Sequence, residues 1–208
     1  MAPTTLAGRP GHNRGRTYPP EVLTPEEVER LVGAASARSS TGIRARALIL
    51  TPQRGGLRIG EALALHPKDV DLDWGTIRIL RGKGDKARTI GIDPGAAAAI
   101  GRWLDRRAHL GIGRRRPLFC TLAGTALYPQ QVRTTLTRLA ARAGIDKRVH
   151  PHGLRHAHAA HLNRAGVPIT TIVRQLGHAN LADTSRYLQS LGQDEHLARV
   201  QTINWHSP

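Results

Sequence analysis

Cysteine is all but missing from this chain of 208 residues: Cys120 stands alone. That excludes an intrachain disulfide and any multi-cysteine zinc site, and it fits a reducing compartment such as the cytoplasm. Long apolar runs are missing as well. No stretch of about 18 apolar residues is present to span a membrane. Residues 1–20 carry Arg9, Arg14 and Arg16 without an acid, but no apolar segment of the kind a signal peptide needs. Acids are scarce: 15 Asp and Glu face 31 Lys and Arg, for a net charge of +16. Such an imbalance points to a polyanionic partner. Lysine is scarce too, confined to positions 68, 83, 86 and 147. The remaining cations are arginines, whose planar fork suits bidentate phosphate contacts.

The rest of the composition is that of a folded protein, with 39% hydrophobic residues and 22 glycines besides. Residues 1–20, rich in Pro, Gly, Thr and Arg, read as a flexible basic arm. Thr24-Pro25-Glu26-Glu27 then supplies an N-cap, a first-turn proline and a capping-box acid. Val28, Leu31, Val32 and Ala35 follow at helical spacing. A second helical pattern runs from Ile43 to about Leu50 and stops at Pro52; a third starts after Gly55-Gly56, placing Arg58 at a helix start. Between Thr76 and Ile92 the period changes to two around Gly82-Lys83-Gly84, which predicts a β-hairpin with Lys83 at or near its tip.

Asp93-Pro94 opens a helix that leads into the cluster Arg102, Arg106, Arg107, Arg114, Arg115 and Arg116, opposed only by Asp105. Three further apolar stripes close at Gly144, Gly166 and Gly177, and later helices are expected around Tyr187 to Leu191 and Glu195 to Val200. Mostly helical, with one small antiparallel sheet, the order of elements implies an α+β fold.

Several chemistries fail on composition. Gly82-Lys83 is followed by Gly84 and so cannot be a nucleotide phosphate loop. Asp69, Asp71 and Asp73 begin like a calcium loop, but Trp74 and Leu80 hold its glycine and glutamate places. These acids are expected to solvate a turn and a strand start. His150, His152, His156, His158 and His161 crowd together, and His152 and His156 have metal-face spacing, yet no acid lies between Lys147 and Ala182 to complete a site. No metal or other cofactor is expected.

Gly56-Leu57-Arg58-Ile59-Gly60-Glu61, Gly82-Lys83-Gly84, His152-Gly153-Leu154-Arg155-His156, and Leu176-Gly177-His178 with Tyr187 beyond it together resemble the signature set of the tyrosine recombinases. These are the integrases of phages and plasmids and the bacterial chromosome-dimer resolvases. The resemblance covers residues 21–191, with 192–208 as a C-terminal tail. It implies cleavage and rejoining of double-stranded DNA by a tetramer on two duplexes. Tyr187 would attack the scissile phosphate, Arg58 and Arg155 would clamp its non-bridging oxygens, and Lys83 would protonate the leaving 5′-oxygen. His152 would assist proton transfer, His178 would hydrogen-bond the phosphate, and Glu61 would support the site. The residue types suit that chemistry: a tyrosine, with a reference pKa near 10, needs a positive surround or a base to attack.

Two departures, a tail placed like the family's C-terminal segment, and two alternatives accompany the resemblance. Only about 20 residues precede the first expected helix, where the family usually carries a helical core-binding domain, so the chain is either a fragment or a short recombinase. Pro52-Gln53-Arg54 is a polar approach to Arg58 where an apolar helix end is expected. The tail has an apolar face, with Leu191, Leu197, Val200, Ile203 and Trp205, that would pack on a neighbouring subunit or on its own domain. A type IB topoisomerase-like activity would use the same tyrosine chemistry, and a DNA-binding module without cleavage would need neither Tyr187 nor Lys83.

Overall fold

Helix α2 (Ser40–Gly55) is the axis on which the other elements are arranged: α4 (Pro94–His109) and α6 (Pro151–Arg164) pack along it. The computed structural model describes residues 22–80 and 87–177. The arm of residues 1–20, the segment holding Lys83, and everything from His178 on, including Tyr187 and the tail, lie outside them. The remaining described elements are α1 (Pro25–Gly33), α3 (Ile59–Ala64), a single 3₁₀ turn at Pro67–Asp69, β1 (Val70–Asp71), β2 (Thr76–Ile79), β3 (Arg88–Gly91), α5 (Pro129–Arg142) and α7 (Ile169–Leu176). None of the described helices is long and apolar enough to cross a membrane.

The helix ends follow the sequence signals. At α1, Thr24 Oγ1 accepts from the Glu27 N–H at 3.2 Å while the Glu27 carboxylate accepts from the Thr24 N–H at 2.7 Å, a reciprocal capping box. The strands form one antiparallel sheet in the order β1-β2-β3, with Ile77 opposite Ile90 and Ile79 opposite Arg88. Ile77, Ile79 and Ile90 are buried while Arg78 and Thr89 face out, so alternation sets one face of the sheet on the core. Trp103 on α4 is wholly buried and donates its indole N–H to the Leu118 carbonyl at 2.7 Å.

One expectation is corrected and one extended. The second helix does not stop at Pro52 but continues to Gly55. Proline takes its own N–H out of the ladder and its ring crowds the carbonyl four residues back, yet its fixed φ is helical; the buried Thr51 hydroxyl also ties back to the Ala47 carbonyl at 2.8 Å. The polar approach to Arg58 is thus a buried final turn, with Pro52, Gln53 and Gly55 all inside. The hairpin also gains a third strand, the two-residue β1. There the Asp71 carboxylate accepts from the N–H groups of Asp73 and Trp74 at 3.1 and 3.0 Å and closes the turn into β2.

The basic cluster on and after α4 divides. Arg107 is buried, while Arg102, Arg114, Arg115 and Arg116 are exposed.

Candidate active site

Glycine makes the elbow from which the site is built. At the end of α2, Gly56 takes a left-handed conformation (φ 68°), where a Cβ would lie 2.6 Å from the His158 ring and 2.9 Å from Leu176. The chain therefore turns tightly against α6 and α7 and re-enters α3 with Arg58 as its N-cap. Glu61, at the third position of α3, reaches back: Oε2 accepts from the Arg58 N–H at 2.8 Å and Oε1 from the Arg58 guanidinium at 3.0 Å.

Glu61 is the hub of the site. Its side chain is 5% exposed, and Arg88 of β3 approaches it with both terminal nitrogens, Nη1 to Oε1 at 3.0 Å and Nη2 to Oε2 at 2.8 Å. Arg155 of α6 lies a little farther off, with Nη1 3.8 Å from Oε2. Burial by itself would raise the carboxyl's pKa, but the hydrogen bonds from Arg88 and Arg58 and the Arg88 charge outweigh it. The group is held below its ordinary value as an anion.

The three arginines are held differently. Arg155 is 3% exposed and donates to two carbonyls from distant parts of the chain, Gly56 at 2.5 Å and Leu176 at 2.7 Å. The Arg88 side chain is 12% exposed, with both terminal nitrogens committed to Glu61. The Arg58 side chain keeps 30% of its surface open. Arg58 is thus the member turned toward solvent, oriented from behind by a fixed carboxylate.

His152 stands in the first turn of α6 with its ring edge-on to His156, centroids 4.1 Å apart. Crowding of the ring, then the positive charges of Arg155, His150 and Arg58, hold its pKa below the ordinary 6.5. A neutral imidazole at pH 7 can accept a proton. His150 before it is the N-cap of α6, its Nδ1 accepting from the Gly153 N–H at 3.1 Å. Among the described residues no three His, Cys, Asp or Glu side chains converge as a metal site.

Of the six site residues read from sequence, Arg58, His152 and Arg155 are therefore brought together. Lys83, His178 and Tyr187 lie outside the described residues. The flanks of those segments are described: β2 and β3 bracket the segment containing Lys83, and Gly177 precedes His178.

Sequence reading missed Arg88, Gln175 and His158. Arg88 had one signal, a cation close after Lys83 in a region where Glu61 was already singled out. Gln175 had none. His158 was lost among its neighbouring histidines, yet it alone is deeply buried, with Nε2 unpartnered and a pKa lowered to about 4. Burial is the main cause and outweighs the opposing bond to the Gln53 backbone, and the Arg155, His161 and Arg54 charges lower the value further.

The phage integrase family matches residues 21–194. Over 184 residues the chain is 35% identical to the tyrosine recombinase XerD of Bifidobacterium longum, an alignment covering 84% of this chain and 59% of that protein. The crystal structure of the XerA recombinase superposes with a TM-score of 0.77 at 30% identity, over 91% of this chain and 68% of that one. The XerH site-specific recombinase bound to a palindromic difH substrate, a post-cleavage complex, gives a TM-score of 0.72 at 28% identity, over 89% of this chain and 54% of that one. The chain spans about three fifths of the length of the curated relatives it matches. On the match to most of its length and the shared architecture, the chain belongs to the phage integrase family, as a tyrosine recombinase catalytic domain.

Proposed function

We propose that this chain cleaves and rejoins double-stranded DNA at specific sites through a 3′-phosphotyrosine intermediate, acting as a tetramer on two duplexes in the cytoplasm. The observation that carries this reading is the frame around Glu61: a half-open Arg58 and a buried Arg155 set on one anionic hub, beside a neutral His152. Guanidiniums aimed by a carboxylate meet phosphate oxygens without reorganising, where charge builds in the transition state. DNA as the partner is further supported by the difH substrate bound to XerH and the transposon right end DNA bound to the Tn1549 integrase.

The reaction balances without a further reagent. The Tyr187 oxygen attacks phosphorus, its proton passing to His152, while the bond from phosphorus to the 5′-oxygen breaks. Lys83 gives the leaving oxygen its proton, and His178 holds a phosphate oxygen. One phosphodiester replaces another, so a 5′-hydroxyl from the partner duplex can reverse the step and free the tyrosine.

Covalent trapping tests the proposal. Nicked suicide duplexes carrying the DNA that flanks the gene, incubated with the protein and chelator, should give an adduct that survives denaturation. Tyr187→Phe should abolish the adduct and leave salt-sensitive binding intact. Loss of binding and adduct together would overturn the assignment of the nucleophile, and relaxed plasmid without recombinants would favour the topoisomerase-like activity.

A further inference from the structure

Arg88 opens β3 and has no part in the roles given above, yet it joins that strand to the Glu61 hub and to the end of α7. Its terminal nitrogens grip both oxygens of Glu61, and Nε donates to the Gln175 carbonyl at 3.4 Å. Its guanidinium also fills the space beside Gly177, where a Cβ would come within 2.6 to 2.7 Å of it and where φ is 63°. Gln175 returns the grip from the helix side: its amide donates to the Gly91 carbonyl at 2.8 Å and accepts from the Gly91 N–H at 3.3 Å. The β3 edge not paired with β2 is thus held by one glutamine, which also reaches the Gly55 carbonyl at 3.4 Å. Arg88 and Arg155 donate to successive carbonyls, of Gln175 and Leu176, at the end of α7.

We propose that Arg88, backed by Gln175, is a positioning residue that fixes the strand leading out of the Lys83 segment to the same carboxylate that aims Arg58, and to the helix end that precedes His178. One contact then sets the leaving-group acid and the phosphate clamp together. Each terminal nitrogen of Arg88 bonds one oxygen of Glu61. Only a guanidinium can hold both carboxylate oxygens and a carbonyl at once; a lysine ammonium cannot span them. The inference rests on the roles proposed for Lys83 and Arg58.

Two measurements on the full chain test it. The first is amide hydrogen exchange without DNA, comparing wild type with Arg88→Gln and Gln175→Leu. Exchange of the β3 amides and of the last turn of α7 should rise roughly tenfold or more in both variants, with that of α2 unchanged. Unchanged exchange in β3 overturns the proposal. Should Arg88→Gln fail to fold, Gln175→Leu, which leaves the Glu61 cluster untouched, decides the point.

The second compares suicide duplexes whose scissile 5′-bridging atom is oxygen or sulfur. A thiolate is a much weaker base than an alkoxide and departs without a proton. Arg88→Gln should lose about 10²-fold or more on oxygen, as expected of a lost general acid, and recover most of it on sulfur, as Lys83→Ala should. Arg58→Ala should not recover. Equal loss of Arg88→Gln on both duplexes, or no loss on either, overturns the link to the acid. A wild-type chain that forms no adduct on either duplex overturns the functional reading and that link with it, while the exchange comparison still decides whether Arg88 fixes β3.

Discussion

Among the described residues two arginines are almost wholly buried, Arg107 at 2% exposure and Arg155 at 3%, and both donate to backbone carbonyls from a helix. Arg107 bonds the carbonyls of Gly113, Arg116 and Pro117 at 3.5, 3.2 and 3.0 Å, all within 10 residues of itself. It closes the loop after α4 and touches nothing beyond it in these bonds. Arg155 bonds carbonyls 99 and 21 residues away, at the α2 elbow and the end of α7, with Glu61 beside it. Burial of a cation is thus no sign of a site by itself. What marks Arg155 is that its acceptors come from two other elements, each carrying a further site residue or leading to one.

The largest expected effect separates the two. Arg155→Ala should lower DNA cleavage by about 10³ to 10⁵, the range attributed to arginine contacts in phosphoryl transfer. Arg107→Ala should instead cost stability, roughly 1–3 kcal/mol for carbonyls left without a donor, and leave cleavage per folded molecule unchanged. Single-turnover trapping alongside urea unfolding reads both. A cleavage loss in Arg107→Ala as large as in Arg155→Ala would erase the distinction.

Next in size is Glu61→Gln. Taking the charge from a buried hub that faces three guanidiniums should cost about 3–5 kcal/mol. Because its folded-state pKa lies below the ordinary 4.5, the contribution of Glu61 is complete above that value. It is lost as pH falls from there through the folded-state pKa. Urea midpoints taken below pH 4.5 should therefore drop steeply in wild type and less in Glu61→Gln.

A smaller effect comes from His158, whose ring lies against Gly56 behind the same elbow. Its pKa of about 4 lies below the ordinary 6.5, so the folded state holds it neutral. Its contribution is complete above pH 6.5 and lost on descending toward pH 4, about 3 kcal/mol in all. His158→Phe should remove that part of the slope. Some slope should persist, since His150 and His152 are also held below their ordinary value.

These contrasts also separate what was legible in the sequence from what was not. Local signals were legible: the capping box of Thr24 and Glu27, Arg58 at a helix start, and the three glycines at 144, 166 and 177 that close helices with positive φ. Motif types likewise brought out Arg58, His152 and Arg155. Arg88 was not legible, because its meaning depends on a carboxylate 27 residues away across a turn and two strands. Gln175 pairs with a strand edge 84 residues earlier, which no periodicity encodes. Pro52 misled because the proline penalty was weighed without the burial that holds the last turn of α2 in place.

The smallest effect tests which end of α2 faces the duplex. Its N-terminal end meets α4, since Arg106 Nη1 donates to the Ser40 hydroxyl at 3.3 Å, whereas its C-terminal end makes the Arg58 elbow. The helix has 16 residues, so the ends are about 24 Å apart. That is more than two Debye lengths at physiological salt, so the two arginine groups act independently unless the duplex touches both. Arg106 makes one side-chain bond there, so Arg106→Ala should change stability by about 0.5–1.5 kcal/mol. In the salt dependence of binding to a random duplex, Arg58→Ala should lower the log-log slope by about 0.9, the share of one phosphate contact. Arg106→Ala should lower it much less, because Arg58 stands on the side of the phosphate clamp and Arg106 at the other end of α2. An equal drop in both variants would lay the duplex along the whole length of α2, and the end of α4 that carries Arg106 would then be part of the DNA surface.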